Sequence, residues 1–136
     1  MTLQLEIITP LEVVLKEQID QITLPTETGE ITILPNHVPL ITKIITGEMI
    51  IKKNQKSSFF AITGGFLEIS NNNITILADY AVRAENIEVA KAKEAQERAQ
   101  HVMKQKVSGR DFVIAEADLR RSLLELKVAR RHKNAA

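Results

Sequence analysis

The sequence predicts a β sandwich followed by an antiparallel α-helical hairpin, and three observations carry that expectation. Up to about residue 82, apolar residues recur at every second position in short runs. Turn-forming residues interrupt those runs at close, regular intervals. From residue 86 the period lengthens to alternating three- and four-residue steps that persist almost to the end. The chain of 136 residues therefore divides into a sandwich at 1–84 and a hairpin at 85–136.

Leu3, Leu5 and Ile7 alternate with Gln4 and Glu6, and Ile22 and Leu24 alternate with Gln21 and Thr23. Ile31 and Ile33 flank Thr32 in the same way, as Ile74 and Ile76 flank Thr75. A period of two marks strands with one buried face. Met49, Ile50 and Ile51 are apolar throughout, which fits either a strand covered on both faces or a fragment of helix. Breaks are expected at Thr9-Pro10, Pro25, Gly29, Pro35-Asn36, Gly47, Asn54-Gln55-Lys56, Gly64-Gly65 and Asn71-Asn72. Strands this short and close pack as two facing layers, with Phe59, Phe66 and Leu67 joining the aliphatic residues inside.

Asn86 is the expected N-cap of the first helix, with Glu88 in its first turn, where a carboxylate favours the helix dipole. Ala92, Ala95, Ala99, Val102 and Lys106 then form a seam. Gly109 is expected to end that helix, and Ser108 or Asp111 to cap the next. Phe112, Ala115, Leu119, Ser122, Leu126 and Ala129 form the second seam. Two seams joined by a short loop make an antiparallel hairpin, and one lined by alanine buries little area, so the pairing should be weak. Val113, Ala117, Leu124 and Val128 lie off the seam and need some other cover.

Composition narrows the function. Tryptophan is absent and aromatics are 4%, too few for a nucleic-acid stacking platform. No cysteine means no disulfide and no thiol chemistry. The start carries neither a basic n-region nor an apolar h-region, so no signal peptide is expected, and no apolar run approaches the roughly 20 residues that cross a bilayer. The net charge of +1 is uneven: from Leu119 onward, six bases (Arg120, Arg121, Lys127, Arg130, Arg131, Lys133) face Glu125 alone, giving +5. That end is either a solvated helix terminus or a cationic arm for an acidic partner.

Catalytic patterns are missing. There is no phosphate-binding G-x-x-x-x-G-K-[ST], no H-E-x-x-H and no G-x-S-x-G. His37, His101 and His132 show no i, i+4 pairing that would favour a metal, so no metal site is expected. Gly64-Gly65 lacks a following helix with a lysine and is expected to form a tight turn or bulge before Phe66.

Residues Gly29 to Pro39 read G-E-I-T-I-L-P-N-H-V-P, a strand fused to a proline-bracketed histidine loop. This stretch resembles the epsilon-subunit family of the F-type ATP synthase, whose N-terminal domain carries G-E-x-x-x-L-P-x-H-x-P. Gly64-Gly65-Phe66-Leu67-Glu68-Ile69 and Ile76-Leu77-Ala78-Asp79, followed by Ala81, resemble that family's G-G-F-L-E-V and I-L-A-D-x-A. With the helical tail, the resemblance covers essentially the whole chain, and it favours the bacterial form.

The resemblance implies a non-catalytic rotor subunit on the cytoplasmic face of the inner membrane, reaching the membrane only through the complex. Its partners would be the gamma subunit, the c-ring and the alpha/beta catalytic head, with no nucleic acid. Glu30 and His37 become the contacts to the ring loops and the foot of gamma. The hairpin becomes a switching element that restrains ATP hydrolysis, through Arg120, Arg121, Lys127, Arg130 and Arg131 with Leu124 and Val128 as an apolar edge. No cofactor is implied, although a subset of the family binds ATP as a regulatory ligand through I-D-x-x-R-A. Here the run is Ile87-Glu88-Val89-Ala90-Lys91-Ala92, with Arg98 and Arg121 as further cations. Lys91 in place of arginine loses the planar fork that such a contact uses. Read without the resemblance, a sandwich presenting a basic helix to nucleic acid is the competing expectation, marked by steeply salt-dependent DNA binding.

Overall fold

A computed structural model describes residues 1–105 and 108–135, without the side chains of 134 and 135. It contains two compact units, Met1–Arg83 and Ala84–Ala136.

The first unit is built from eight strands: β1 (Leu3–Ile8), β2 (Val13–Ile19), β3 (Gln21–Thr26), β4 (Gly29–Ile33), β5 (Leu40–Ile44), β6 (Gly47–Lys53), β7 (Lys56–Ser70) and β8 (Asn73–Arg83). They join in the order β2-β1-β8-β7-β5-β3-β4, with β6 bridging β3 and β7. The alternating residues do as their period requires: Leu3, Leu5, Ile7, Ile22, Leu24, Ile33, Ile74 and Ile76 are all buried in one core. Met49 and Ile51 are buried and Ile50 is half-buried, so this ambiguous run is a strand.

The 15-residue β7 holds the two layers together. Its first half, Lys56 to Ile62, pairs with β6, and its second half, Gly65 to Ile69, pairs with β5. The partner changes at Gly64-Gly65, which is neither a turn nor a bulge as expected. The register with β8 stays constant across it, from Thr63 opposite Tyr80 to Gly65 opposite Ala78, so no extra residue is inserted. Glycine is required there because both residues have positive φ, and a Cβ on Gly65 would approach the Leu77 carbonyl to 2.1 Å.

Pro25 is likewise no break: it lies within β3 opposite Glu30, and its carbonyl accepts from the Ile45 N–H. Phe66 departs from the expected core and is 57% exposed, because Leu67 takes the inward position and neighbours on a strand face opposite ways. Phe60, which the alternation does not flag, is the largest fully buried side chain, with the Arg83 guanidinium 5.1 Å from its ring centroid.

In the second unit a 3-10 turn, Ala84–Asn86, precedes α1 (Val89–Lys104) and α2 (Gly109–Ala135). Asn86 therefore closes this turn and does not cap α1. The N-cap is Glu88, whose carbonyl accepts from the Ala92 N–H while its side chain makes no cap bond. Gly109 opens α2 and does not terminate α1; Ser108 sits before it, its carbonyl accepting from Phe112 N–H and its hydroxyl 3.4 Å from the Asp111 carboxylate. The seams meet at Ala92, Ala99, Ala115 and Ser122, which are buried, and the Ser122 hydroxyl donates to the Leu119 carbonyl, whereas Phe112, the first expected position of the second seam, is 39% exposed. Lys106, the last seam position of the first helix, lies outside the described residues.

Candidate functional site

β4 delivers the chain into the loop from Leu34 to Pro39, and β5 takes it away. Asn36 adopts a left-handed φ of 68°, a conformation that asparagine tolerates better than most residues. Its backbone N–H donates to Asn72 Oδ1 at 2.6 Å, and Asn72 Nδ2 lies 3.4 Å from Asn36 Oδ1. His37 Nδ1 lies 2.7 Å from the Val38 carbonyl. A carbonyl only accepts, so Nδ1 carries the proton, and in the neutral ring Nε2 remains as an acceptor. Leu34, Val38 and the adjacent Ile41 are exposed, giving the loop an apolar rim. The sequence carries these three in plain sight, but their period does not distinguish exposed from buried.

Glu30 is exposed near the start of β4, three residues and roughly 10 Å before the strand's end at the usual strand rise. Among the described residues no ion pair joins it to His37. A further exposed apolar surface of this unit is the pair Phe66 and Leu77, directly opposite one another on β7 and β8. They line an open cleft of about 590 Å³ with Ile8, Pro10, Lys43 and Asp79.

The cations of α2 are placed on its outer surface. Arg120 reaches Glu116 at 3.3 Å, and Arg121 reaches Glu125 at 3.1 Å. Lys127, Arg130 and Arg131 are exposed. The Arg120–Glu116 pair is exposed and contributes at most about 1 kcal/mol, whereas Glu125 is partly buried beneath Arg121. Of the proposed apolar edge, Leu124 is half-buried and Val128 is 0% exposed, so Val128 has found the cover that its position off the seam calls for. One turn beyond Val128 on the same face, His132 lies 3.5 Å from Glu85 in the 3-10 turn, and that turn packs against α2. Among the described residues, Phe112, Val113, Ile114 and Leu123 are the large apolar residues of α2 left exposed.

Ile87 and Ala92 are buried, the Lys91 ammonium lies 3.2 Å from Glu88, and Arg98 is exposed on α1. Among the described residues, no group of three or more acidic, histidine or cysteine side chains could hold a metal. Among them, too, no helix is long and apolar enough to cross a membrane.

Comparison with known proteins decides the family. Residues 2–84 match the ATP synthase, Delta/Epsilon chain, beta-sandwich domain, and residues 85–130 match the long alpha-helix domain of the same chain. The chain belongs to the ATP synthase delta/epsilon family. It is 42% identical over 134 residues to the ATP synthase epsilon chain of Herpetosiphon aurantiacus, with 98% of each chain covered. It is 41% identical over 133 residues to that of Chloroflexus aggregans, covering 98% of this chain and 96% of the relative. As an epsilon subunit of an F-type ATP synthase, it also shares its fold with chains of two solved assemblies. One is the Euglena gracilis mitochondrial ATP synthase, OSCP/F1/c-ring (TM-score 0.68, 22% identity, 98% of this chain and 81% of that one). The other is the Tetrahymena thermophila mitochondrial central stalk and c-ring (TM-score 0.62, 16% identity, 95% and 97%).

Proposed function

We propose that this epsilon subunit is a non-catalytic rotor part whose residues 1–84 couple the gamma subunit to the c-ring and whose residues 85–136 restrain ATP hydrolysis. The observation that carries the docking half is the loop at Leu34 to Pro39: an exposed apolar rim around an imidazole whose Nδ1 is already committed, leaving Nε2 to a partner. Polar ring loops offer the donors that such an acceptor needs. The separate Phe66 and Leu77 surface supports a subunit that holds two partners at once. The subunit then sits peripherally on the cytoplasmic face of the inner membrane, through the complex alone.

The regulatory half rests on the seam. Alanine and serine contacts bury little area, so α2 leaves α1 at small cost, and its outward arginines then meet acidic surface on the catalytic head. ATP has no prepared place in this scheme: Lys91 faces Glu88, and the arginine fork is missing.

Truncation after Gly109, and separately reversal of Arg120, Arg121, Arg130 and Arg131 to glutamate, test the brake. Both should raise ATP hydrolysis by isolated membranes while assembly and ATP synthesis persist. Equal hydrolysis in native, truncated and reversed enzymes would leave the subunit with rotor coupling only.

A further inference from the structure

The loop that carries His37 is held from outside itself. Between the prolines its own backbone supplies little, and Asn36 sits in a left-handed conformation at the loop's apex. The bond that fixes it comes from Asn72, 36 residues away in the turn between β7 and β8. That turn is itself anchored, because the Asn72 carbonyl accepts from the Gln4 N–H at 2.8 Å, tying it to the start of β1. Asn71 and Asn72 both have positive φ, 51° and 62°, the geometry of a tight hairpin turn that asparagine and glycine fill well. A turn of this type needs no side-chain amide aimed at a neighbouring loop. The Asn72 side chain therefore does something the hairpin does not require.

We infer that Asn72 is a positioning residue for docking: its side-chain amide presets the Leu34 to Pro39 loop in the shape that the c-ring loops meet. The inference rests on the docking role proposed above. Its physical content is preorganisation. A loop ordered before encounter loses less freedom on binding, so removing the clamp weakens association without removing any group that touches the partner. Asn72 Oδ1 is the stronger half, accepting the Asn36 N–H at 2.6 Å; the return contact from Nδ2 is 3.4 Å long. Aspartate at this position keeps the acceptor and loses only the weaker contact. Glycine keeps the turn and loses both.

Three full-length variants test this: Asn72→Gly, Asn72→Asp, and the double variant Glu30→Ala with His37→Ala. Each is titrated onto ATP synthase stripped of its epsilon subunit, with ATP-driven proton pumping as the second readout. Thermal melting of the free chain and amide exchange at Asn36 are measured alongside. N72G should melt as the native chain does, exchange its Asn36 amide faster, and bind about tenfold more weakly, the loss expected of a hydrogen bond or two that order a loop. N72D should recover most of that affinity. Native affinity for N72G, with the double variant impaired, would overturn the positioning role and leave the docking role intact. Native affinity for both would overturn the docking reading itself, and the inference with it. Weaker binding by N72G accompanied by an equally large loss of melting temperature would make Asn72 a residue of the fold, which also overturns the inference.

Discussion

Ala99 offers the most direct test of the idea that the hairpin switches. It is 4% exposed in the α1 seam, one heptad from Ala92, while Ala115 and Ser122 occupy the matching spacing on α2. Helices that meet through alanine and serine lie close, so Ala99→Leu inserts three further carbons where there is no room for them. Overpacking of this kind costs about 1–3 kcal/mol, and leucine forms helix nearly as well as alanine, so the penalty falls on pairing and spares the helices. An equilibrium between closed and open hairpin should shift towards open by about 5- to 150-fold. The open state is the one proposed to reach the catalytic head, so A99L should inhibit hydrolysis more strongly than the native chain. The assay is the hydrolysis rate of enzyme reconstituted with native or A99L chain, with amide exchange in both units as the structural control. Exchange in α1 and α2 should accelerate while β1, β7 and β8 stay protected. If the helices exchange faster and hydrolysis is unchanged, opening does not control the enzyme and the reasoning fails.

Alanine at both Glu30 and His37 should weaken rotor association and coupling while shifting stability by no more than about 1.5 kcal/mol, since Glu30 is exposed and half-buried His37 gives up one loop hydrogen bond; a melting curve and a binding titration decide this together. Gly65→Ala should cost at least about 3 kcal/mol in urea denaturation, because a positive φ and contact with the Leu77 and Ala78 backbone act together. Gly29→Ala, with φ of 120° but open space around it, should cost only about 1–2 kcal/mol, and equal losses at the two sites would refute the close-approach argument.

The architecture was legible where one face of an element is buried and the other wet. β1, β3, β4 and β8 announce themselves through strict alternation, and the two helices through their seams. β2 and β5 do not. β2 ends the strand order and buries only Ile19 fully, so Val13, Val14 and Leu15 run together without alternation. β5 begins directly after Pro39, where turn chemistry masks a strand. Gly64-Gly65 and Pro25 read as breaks because glycine and proline interrupt most strands; here the strands continue because β7 changes partner and Pro25 needs no N–H. At the candidate site, Glu30 and His37 were legible only through a family pattern. Asn72 was not legible at all, since its partner is 36 residues away and local sequence has no register for such a contact.

The unequal lengths of the two helices bear on where the off-seam edge finds its cover. At 1.5 Å per residue, the 16 residues of α1 span roughly 24 Å and the 27 of α2 roughly 40 Å. The last third of α2 therefore has no α1 beside it and rests on the preceding 3-10 turn, where Glu85 meets His132. Val128 lies off the α1 seam, as its position in the helical period requires, yet it is covered. Helical phase tells which face a residue occupies; it does not tell how far the partner helix extends. The consequence is mechanical. The contacts that hold α2 include a seam with small side chains at Ala115 and Ser122, the fully buried Val128 and the His132–Glu85 contact. Arg130 and Arg131 lie near the end of the helix farthest from the connection between α1 and α2, where a swing about that connection moves them most.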